Sequence, residues 1–195
     1  NDAFSQVERT LVELHWHANT RPLHETIDSI HAANPAALPR IADVWLLCAL
    51  AERDSAAAKN ALNAKGENPI EIDSANVWFT REYVEGVIAR MTNDQSKARE
   101  AFLAARTKQE KIVHTQPNYG PAWCVLGLID AGLGRKQDAL REGRRAVELL
   151  PVENDAINGL AMIKYFAVIA AWIGDKDLAC EQLAIAARVP GTLSY

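Results

Sequence analysis

Four alanines recur at a nearly constant spacing, and this constrains the fold of the chain more than any other feature. Ala58, Ala98, Ala139 and Ala179 are separated by 40, 41 and 40 residues. A period of this length is typical of repeat proteins, in which one small structural unit stacks on the next. Small side chains at a fixed place in each unit indicate a point where two backbones pass closely. The spacing therefore predicts a series of stacked units.

The residues between the alanines predict helices. Apolar residues are spaced three and four apart along almost the whole chain, and short clusters of Asn, Asp, Gly and Pro interrupt them. Alanine accounts for 33 of 195 residues, which favours helix, and no segment alternates like a half-buried strand. The interruptions leave about ten helices, and Asp54, Asp94 and Asp175 are suited to cap three of them. We expect an all-α fold built from paired helices.

The clearest copy of the unit lies between Trp123 and Pro151. Its defining positions are Trp123, Leu126, Gly127, Gly134, Ala139, Ala146 and Pro151. Trp123 and Leu126 would fill the space between two helices, while Gly127 and Ala139 would let the backbones approach. Gly134 is suited to end the first helix and Pro151 to end the second. The copy resembles a tetratricopeptide repeat, although Asp130 and Gly143 stand where that pattern has aromatic residues.

The resemblance implies a single domain over 1–195, a right-handed superhelix of about five antiparallel helix pairs. The expected pairs are 2–34, 38–65, 75–115, 118–150 and 156–189. The stretch 127–151 also resembles the C-terminal tetratricopeptide regions of large bacterial signalling proteins, where the array follows a serine/threonine kinase, winged-helix regulator or cyclase domain. Because the chain opens with Asn1 and not with Met, we expect it to be part of a longer protein.

In such superhelices the first helix of each pair lines a concave groove. The groove positions of the family fall on Asp43, Leu47, Tyr83, Val87, Arg90, Cys124, Leu128, Lys164, Val168 and Trp172. Tyr83 and Trp172 are the preferred anchors, with core packing as the alternative, because large amphipathic side chains often dominate interfaces. Lys164 lacks the asparagine partner of a carboxylate clamp, since Val168 stands there. The resemblance implies a non-enzymatic module that binds a peptide, a protein or another domain of its own polypeptide.

Charge and motif content argue against other classes of function. With 21 basic and 25 acidic side chains, a net charge of -4 and a pI near 5.8, the chain has no field that attracts nucleic acid. We expect no association with a membrane, because no apolar run has membrane-spanning length. We expect a cytoplasmic location, with the periplasm as the alternative. Phosphate-binding glycine loops and nucleophile motifs are absent from the sequence, so we expect neither enzymatic activity nor a cofactor.

Two other functions are alternatives to a binding module. A metal-binding or enzymatic protein would use His15, His17, His24 and His31, but His15 and His17 would point in opposite directions on a helix. No cysteine is near them in sequence, so we expect no metal ligands, and the three cysteines are interpreted as small core residues. A passive spacer between domains is the second alternative, in which substitutions of the groove residues would be silent.

Overall fold

The computed structural model describes residues 2–72 and 76–189, which form ten α-helices and one two-stranded hairpin. The helices are α1 (Ala3–His17), α2 (Arg21–Ala33), α3 (Leu38–Ala51), α4 (Ser55–Lys65), α5 (Arg81–Met91), α6 (Gln95–Thr115), α7 (Gly120–Gly132), α8 (Lys136–Leu149), α9 (Asn158–Ile173) and α10 (Lys176–Ala186). The strands are β1 (Ile70–Glu71) and β2 (Trp78–Phe79), and a short 3-10 turn at Pro35–Ala37 precedes α3. The expected all-α class is confirmed.

Helices that follow one another in the chain pack against one another. The largest contacts join α3 to α4, α5 to α6, α7 to α8 and α9 to α10, which makes four consecutive pairs. α6 packs on α7, and both α7 and α8 pack on α9. α1 and α2 pack on each other and on α3. One cluster of buried apolar side chains runs through these helices from Val7 to Ile173.

The turn inside each of these four pairs has the same backbone geometry. A residue with positive φ ends the first helix, and the N–H of the next residue donates to the carbonyl five positions earlier, as in a Schellman-type helix end. The positive-φ residues are Arg53 (58°), Asn93 (58°), Gly134 (75°) and Gly174 (89°). The hydrogen bonds run from Asp54 to Ala49, Asp94 to Ala89, Arg135 to Asp130 and Asp175 to Ala170, at 2.8 to 2.9 Å. The repeat in sequence is thus accompanied by a repeat in local structure.

The recurring alanines lie in similar surroundings in these pairs. Ala58, Ala98, Ala139 and Ala179 are between 0% and 7% exposed, and each lies in the first turn of the second helix of its pair. The backbones pass closely at Gly127, where an added Cβ would lie 2.8 Å from Ile169 Cδ1 and 3.2 Å from the Ala139 carbonyl oxygen. Gly127 and Ala139 therefore stand where α7, α8 and α9 meet.

A β-hairpin follows the second expected pair and extends into the start of the third, where no strand was predicted. Ile70 pairs with Phe79 and Glu71 with Trp78 in an antiparallel arrangement. Strands of two residues are too short to show an alternating pattern, which is why the sequence did not reveal them. Ile70, Val77 and Phe79 are buried, so the hairpin contributes apolar side chains to the core. The third pair, expected at 75–115, consequently has its first helix only from Arg81.

α7 is the central helix of the C-terminal half. It contacts α5, α6, α8, α9 and β2, and eleven of its thirteen residues are buried. Trp123 is the large side chain of α7 that is only half-buried. Its indole N–H donates to the Pro117 carbonyl at 2.8 Å. Because α7 is surrounded, it presents little surface to a ligand.

Candidate functional site

Three of the expected groove residues belong to the core. Tyr165 on α9 meets the ring of Phe79 edge-on, with centroids 5.9 Å apart, and Phe79 stacks on Tyr83 at 4.7 Å. Tyr83 is 5% exposed, and Cys124 and Leu128 on α7 are 1% and 0% exposed. Tyr83, Cys124 and Leu128 therefore pack in the core, which is the alternative to a groove position given above. The physical reason is that α5, the hairpin and α9 all pack on α7 and cover the face that an open superhelix would expose.

Arg90, Val87 and Trp172, by contrast, meet at one cavity. The Arg90 guanidinium carbon lies 4.4 Å from the centroid of the Trp172 ring, which is a cation–π contact between α5 and α9. Both side chains, and that of Val87, are half-buried. They line a cavity of about 510 Å³ whose wall also includes Arg53 and Asn93. We call this cavity with its five named lining residues the Arg90–Trp172 cavity.

Two residues from the turns were missed by the sequence analysis. Arg53 and Asn93 occupy the same positive-φ position in the second and third pairs, and the turn geometry brings both to the Arg90–Trp172 cavity. Neither Arg53 nor Arg90 forms a salt bridge within the described part of the chain. The cavity therefore combines two uncompensated guanidinium groups with an aromatic ring. The forty-residue spacing of the turns was the signal that pairs these positions.

The remaining expected groove residues lie on α9 and α3. Lys164 and Val168 precede Trp172 by eight and four residues, so the three share one face of α9, and Val168 is 37% exposed. On α3, Asp43 forms a salt bridge with Lys65 of α4, and Leu47 is half-buried. One oxygen of the Asp43 carboxylate, Oδ2, is thus engaged by Lys65, while Oδ1 is buried without a hydrogen-bond partner in the described residues. The stripe on α9 extends the accessible surface next to the Arg90–Trp172 cavity.

A buried pair of acids lies on the other side of α7. Asp130 is 0% exposed and Glu142 of α8 is 2% exposed. Burial, together with the neighbouring negative charge of Asp130, raises the pKa of Glu142 to about 8. Asp130 Oδ1 accepts from Arg106 Nε at 2.7 Å, whereas Asp130 Oδ2 and Glu142 Oε2 are buried without a hydrogen-bond partner in the described residues. The sequence analysis noted Asp130 only as a departure from an aromatic position, because its partners come from other helices.

The four N-terminal histidines are not gathered at one site. His17 contacts Glu13, and the His31 ring lies 6.1 Å from the ring of Trp45. Of the four, only His24 belongs to a group of three donors that could hold a metal ion in the described residues, and its companions are Cys48 and Glu52. Cys48 is remote from His24 in sequence but close to it in the fold, a proximity that the spacing along the chain does not reveal. Burial, reinforced by Glu52, raises the pKa of Cys48 to about 12.

The fold and its sites define an all-α protein of consecutively packed helix pairs with a partly basic cavity between α5 and α9. Comparisons with protein-family models, with curated proteins and with solved structures find no match to this chain. In the described ranges, no helix is both long and apolar enough to cross a membrane.

Proposed function

We propose that this protein is a non-enzymatic binding module of the tetratricopeptide type, which holds a segment of a partner protein or of its own polypeptide. In this proposal the helix pairs continue one another as a right-handed superhelix, and the module serves as a scaffold or regulatory region of a bacterial signalling protein in the cytoplasm. It uses no cofactor in binding. The resemblance of the repeat supports the class, and the geometry of the cavity supports the place of binding.

The contact between Arg90 and Trp172 carries the proposal. A guanidinium in cation–π contact with an indole ring keeps the N–H groups along the edge of its plane available to other partners. Such an edge is suited to accept a carboxylate in a bidentate arrangement. Arg53 also lines the cavity and has no acidic partner in the described chain. An acidic side chain of the bound segment therefore complements the positive charge of the cavity.

The apolar part of the site fits an adjacent hydrophobic residue of the same segment. Val87 lines the Arg90–Trp172 cavity, and Val168 exposes 37% of its surface one turn before Trp172 on α9. An apolar contact beside a charged anchor is the usual composition of a peptide-binding surface. We therefore expect the recognised segment to carry an acidic residue next to an apolar one.

Isothermal titration with synthetic peptides tests the proposal. The probe is a set of short peptides with alternating acidic and apolar residues, each matched by a version in which glutamine replaces the acidic residue. We expect the acidic peptides to bind and the glutamine versions to bind about tenfold more weakly, because a charge-assisted hydrogen bond is lost. Equal binding of both versions would contradict the assigned chemistry.

Variants connect the binding to the cavity. Arg90→Met and Trp172→Leu are expected to weaken binding by about tenfold or more, as is usual for central anchors. Arg144→Met is the matched control, because Arg144 is an exposed arginine on α8 outside this cavity. A passive spacer would bind no peptide and no other domain of the parent protein, and its Arg90 and Trp172 variants would behave as wild type.

A further inference from the structure

His24, Cys48 and Glu52 bring three different metal-binding groups to one point between α2 and α3. Cys48 lies on α3 and Glu52, four residues later, caps the C-terminus of that helix with helical backbone angles, so the two lie on the same side, and His24 is on α2 opposite them. The three donor atoms all lie within 4.8 Å of one another. His24 Nδ1 and Glu52 Oε2 are 2.8 Å apart. The cluster borders a cavity of about 270 Å³.

These distances between donor atoms suit a metal ion with tetrahedral coordination. With Zn–S near 2.3 Å and Zn–N and Zn–O near 2.0 to 2.2 Å, the ligand atoms of a zinc site are roughly 3.5 Å apart. The separations in the cluster bracket that value, since one pair of donor atoms is 2.8 Å apart and no pair exceeds 4.8 Å. The adjoining cavity leaves room for a water molecule as the fourth ligand.

The second ring nitrogen of His24, Nε2, faces a carboxylate, as the second nitrogen of a histidine ligand does in many metal sites. His24 Nε2 lies 3.3 Å from Asp28 Oδ2, one turn further along α2. Metal-bound histidines commonly donate their other ring N–H to a carboxylate, which fixes the tautomer and orients the ring. With Nε2 occupied by Asp28, Nδ1 is the nitrogen left to face Cys48 and Glu52. This arrangement is an observation separate from the donor cluster itself.

The charge around the cluster also favours a cation. Asp28, Glu52 and Asp54 line the cavity, while no lysine or arginine does so in the described residues. Asp54 is engaged as the N-cap of α4, where its Oδ1 accepts from the N–H groups of Ala56 and Ala57. It therefore adds negative charge without competing as a ligand.

From this geometry we infer that His24, Cys48 and Glu52 bind one divalent ion of the zinc class. A mixed set of nitrogen, sulfur and oxygen donors suits Zn²⁺, whereas Mg²⁺ and Ca²⁺ prefer oxygen ligands alone. The ion would join α2 to α3 and thereby fasten the first helix pair to the second. This site is separate from the peptide-binding cavity of the proposed function, and its existence does not depend on it.

Cobalt(II) titration of the untagged full chain, freed of metal by a chelator, tests the inference. Tetrahedral Co²⁺ with a thiolate ligand gives a sulfur-to-metal charge-transfer band together with intense visible bands. We expect one equivalent of Co²⁺ to produce both, and one equivalent of Zn²⁺ to bleach them. Zn²⁺ is also expected to raise the melting temperature, because it binds the folded state. Absence of the charge-transfer band at saturating Co²⁺ would overturn the inference.

Variants locate the ligands. Cys48→Ser is expected to abolish the charge-transfer band, and Cys180→Ser, at the exposed cysteine of α10, is the matched control that keeps it. His24→Ala and Glu52→Gln should weaken Zn²⁺ binding about tenfold or more, and Asp28→Asn by about 10- to 100-fold. His31→Ala, at the other histidine that lines the cavity, should bind within about twofold of wild type.

Two results would refute the assigned site. One is a band that survives in Cys48→Ser and disappears in Cys180→Ser, and the other is a loss of binding in His31→Ala equal to that in His24→Ala. Circular dichroism of each variant in chelator establishes that it is folded before the titration. His24 is exposed, so His24→Ala is the ligand substitution that disturbs the fold least. Weaker binding in His24→Ala, compared with a retained band in Cys180→Ser, is therefore sufficient to decide the question.

Discussion

Asp130 on α7, fully buried, accepts a 2.7 Å hydrogen bond from Arg106 Nε on α6, and this contact joins the third helix pair to the fourth. Arg135 provides a second, more distant guanidinium at 3.8 Å. The Arg106 side chain also reaches Glu110 on its own helix. A charged network thus occupies a place where a tetratricopeptide unit usually has an aromatic residue.

Removing Arg106 should destabilise the fold, because Asp130 would keep a buried charge with only Arg135 to offset it. We expect Arg106→Met to lower the free energy of unfolding by about 3 kcal/mol. Urea unfolding at neutral pH measures the effect. Arg144→Met, at an exposed arginine, should stay within about 0.5 kcal/mol of wild type. Equal losses in the two variants would show that the contact with Asp130 contributes nothing specific.

Glu142 should make the protein less stable as the pH rises. The pKa of Glu142 is raised from 4.5 to about 8 in the folded state, so between these values the unfolded chain releases a proton that the folded chain retains. Stability is therefore highest below the lower pKa, declines through this window and levels off above about pH 8. The groups that face Glu142 are Asp130, Asp138 and Arg141.

Glu142→Gln is expected to remove this dependence, since an amide does not ionise and its N–H group is able to donate to Asp130. The variant should gain on the order of 2 kcal/mol over wild type between about pH 5 and pH 7, as two pKa units of linkage imply. Thermal unfolding across this range, with Glu148→Gln at an exposed position as control, provides the comparison. A constant difference between variant and wild type at every pH would refute the assignment.

Enlarging the small residues at the crossing of α7 and α8 should overpack the core. Gly127→Leu and Ala139→Leu are each expected to cost about 1 to 3 kcal/mol. At Gly127 the first added carbon already meets Ile169 and the Ala139 carbonyl, and Ala139 is 0% exposed. Ala184→Leu, on the exposed side of α10, should leave the melting temperature nearly unchanged. Unchanged melting of all three variants would contradict the packing described for the repeat.

At two equivalent turns, substitutions are expected to change the free energy of unfolding in opposite directions. Gly134 has a φ of 75° with nothing within 4 Å of an added Cβ, so Gly134→Ala should cost about 1 kcal/mol from backbone strain alone. Arg53 has a φ of 58° at the corresponding turn, so Arg53→Gly should gain about the same amount. Chemical denaturation of both variants measures the two changes in the free energy of unfolding. Changes of the same sign would show that the two turns are not equivalent.

The sequence predicted the features that depend on neighbours along the chain. The helices, the capping aspartates at Asp54, Asp94 and Asp175, and the forty-residue recurrence of small residues follow from spacing and local propensity. These properties are local because a helix satisfies its own backbone and because a turn needs only a few residues. The hairpin at Ile70 and Phe79 escaped prediction because its stability comes from burial in the core and not from its own short strands.

Tertiary structure decided which side chains meet. Tyr83 and Leu128 were expected at a groove but are buried, since packing of α5 and α9 on α7 depends on three-dimensional fit that a periodic pattern does not encode. The same packing places Arg90 on Trp172 and Arg106 on Asp130, and it sets Cys48 beside His24 across two helices. Local chemistry along the chain determined the helices and their period, whereas contacts between distant residues, which depend on how the helices pack, determined every candidate site.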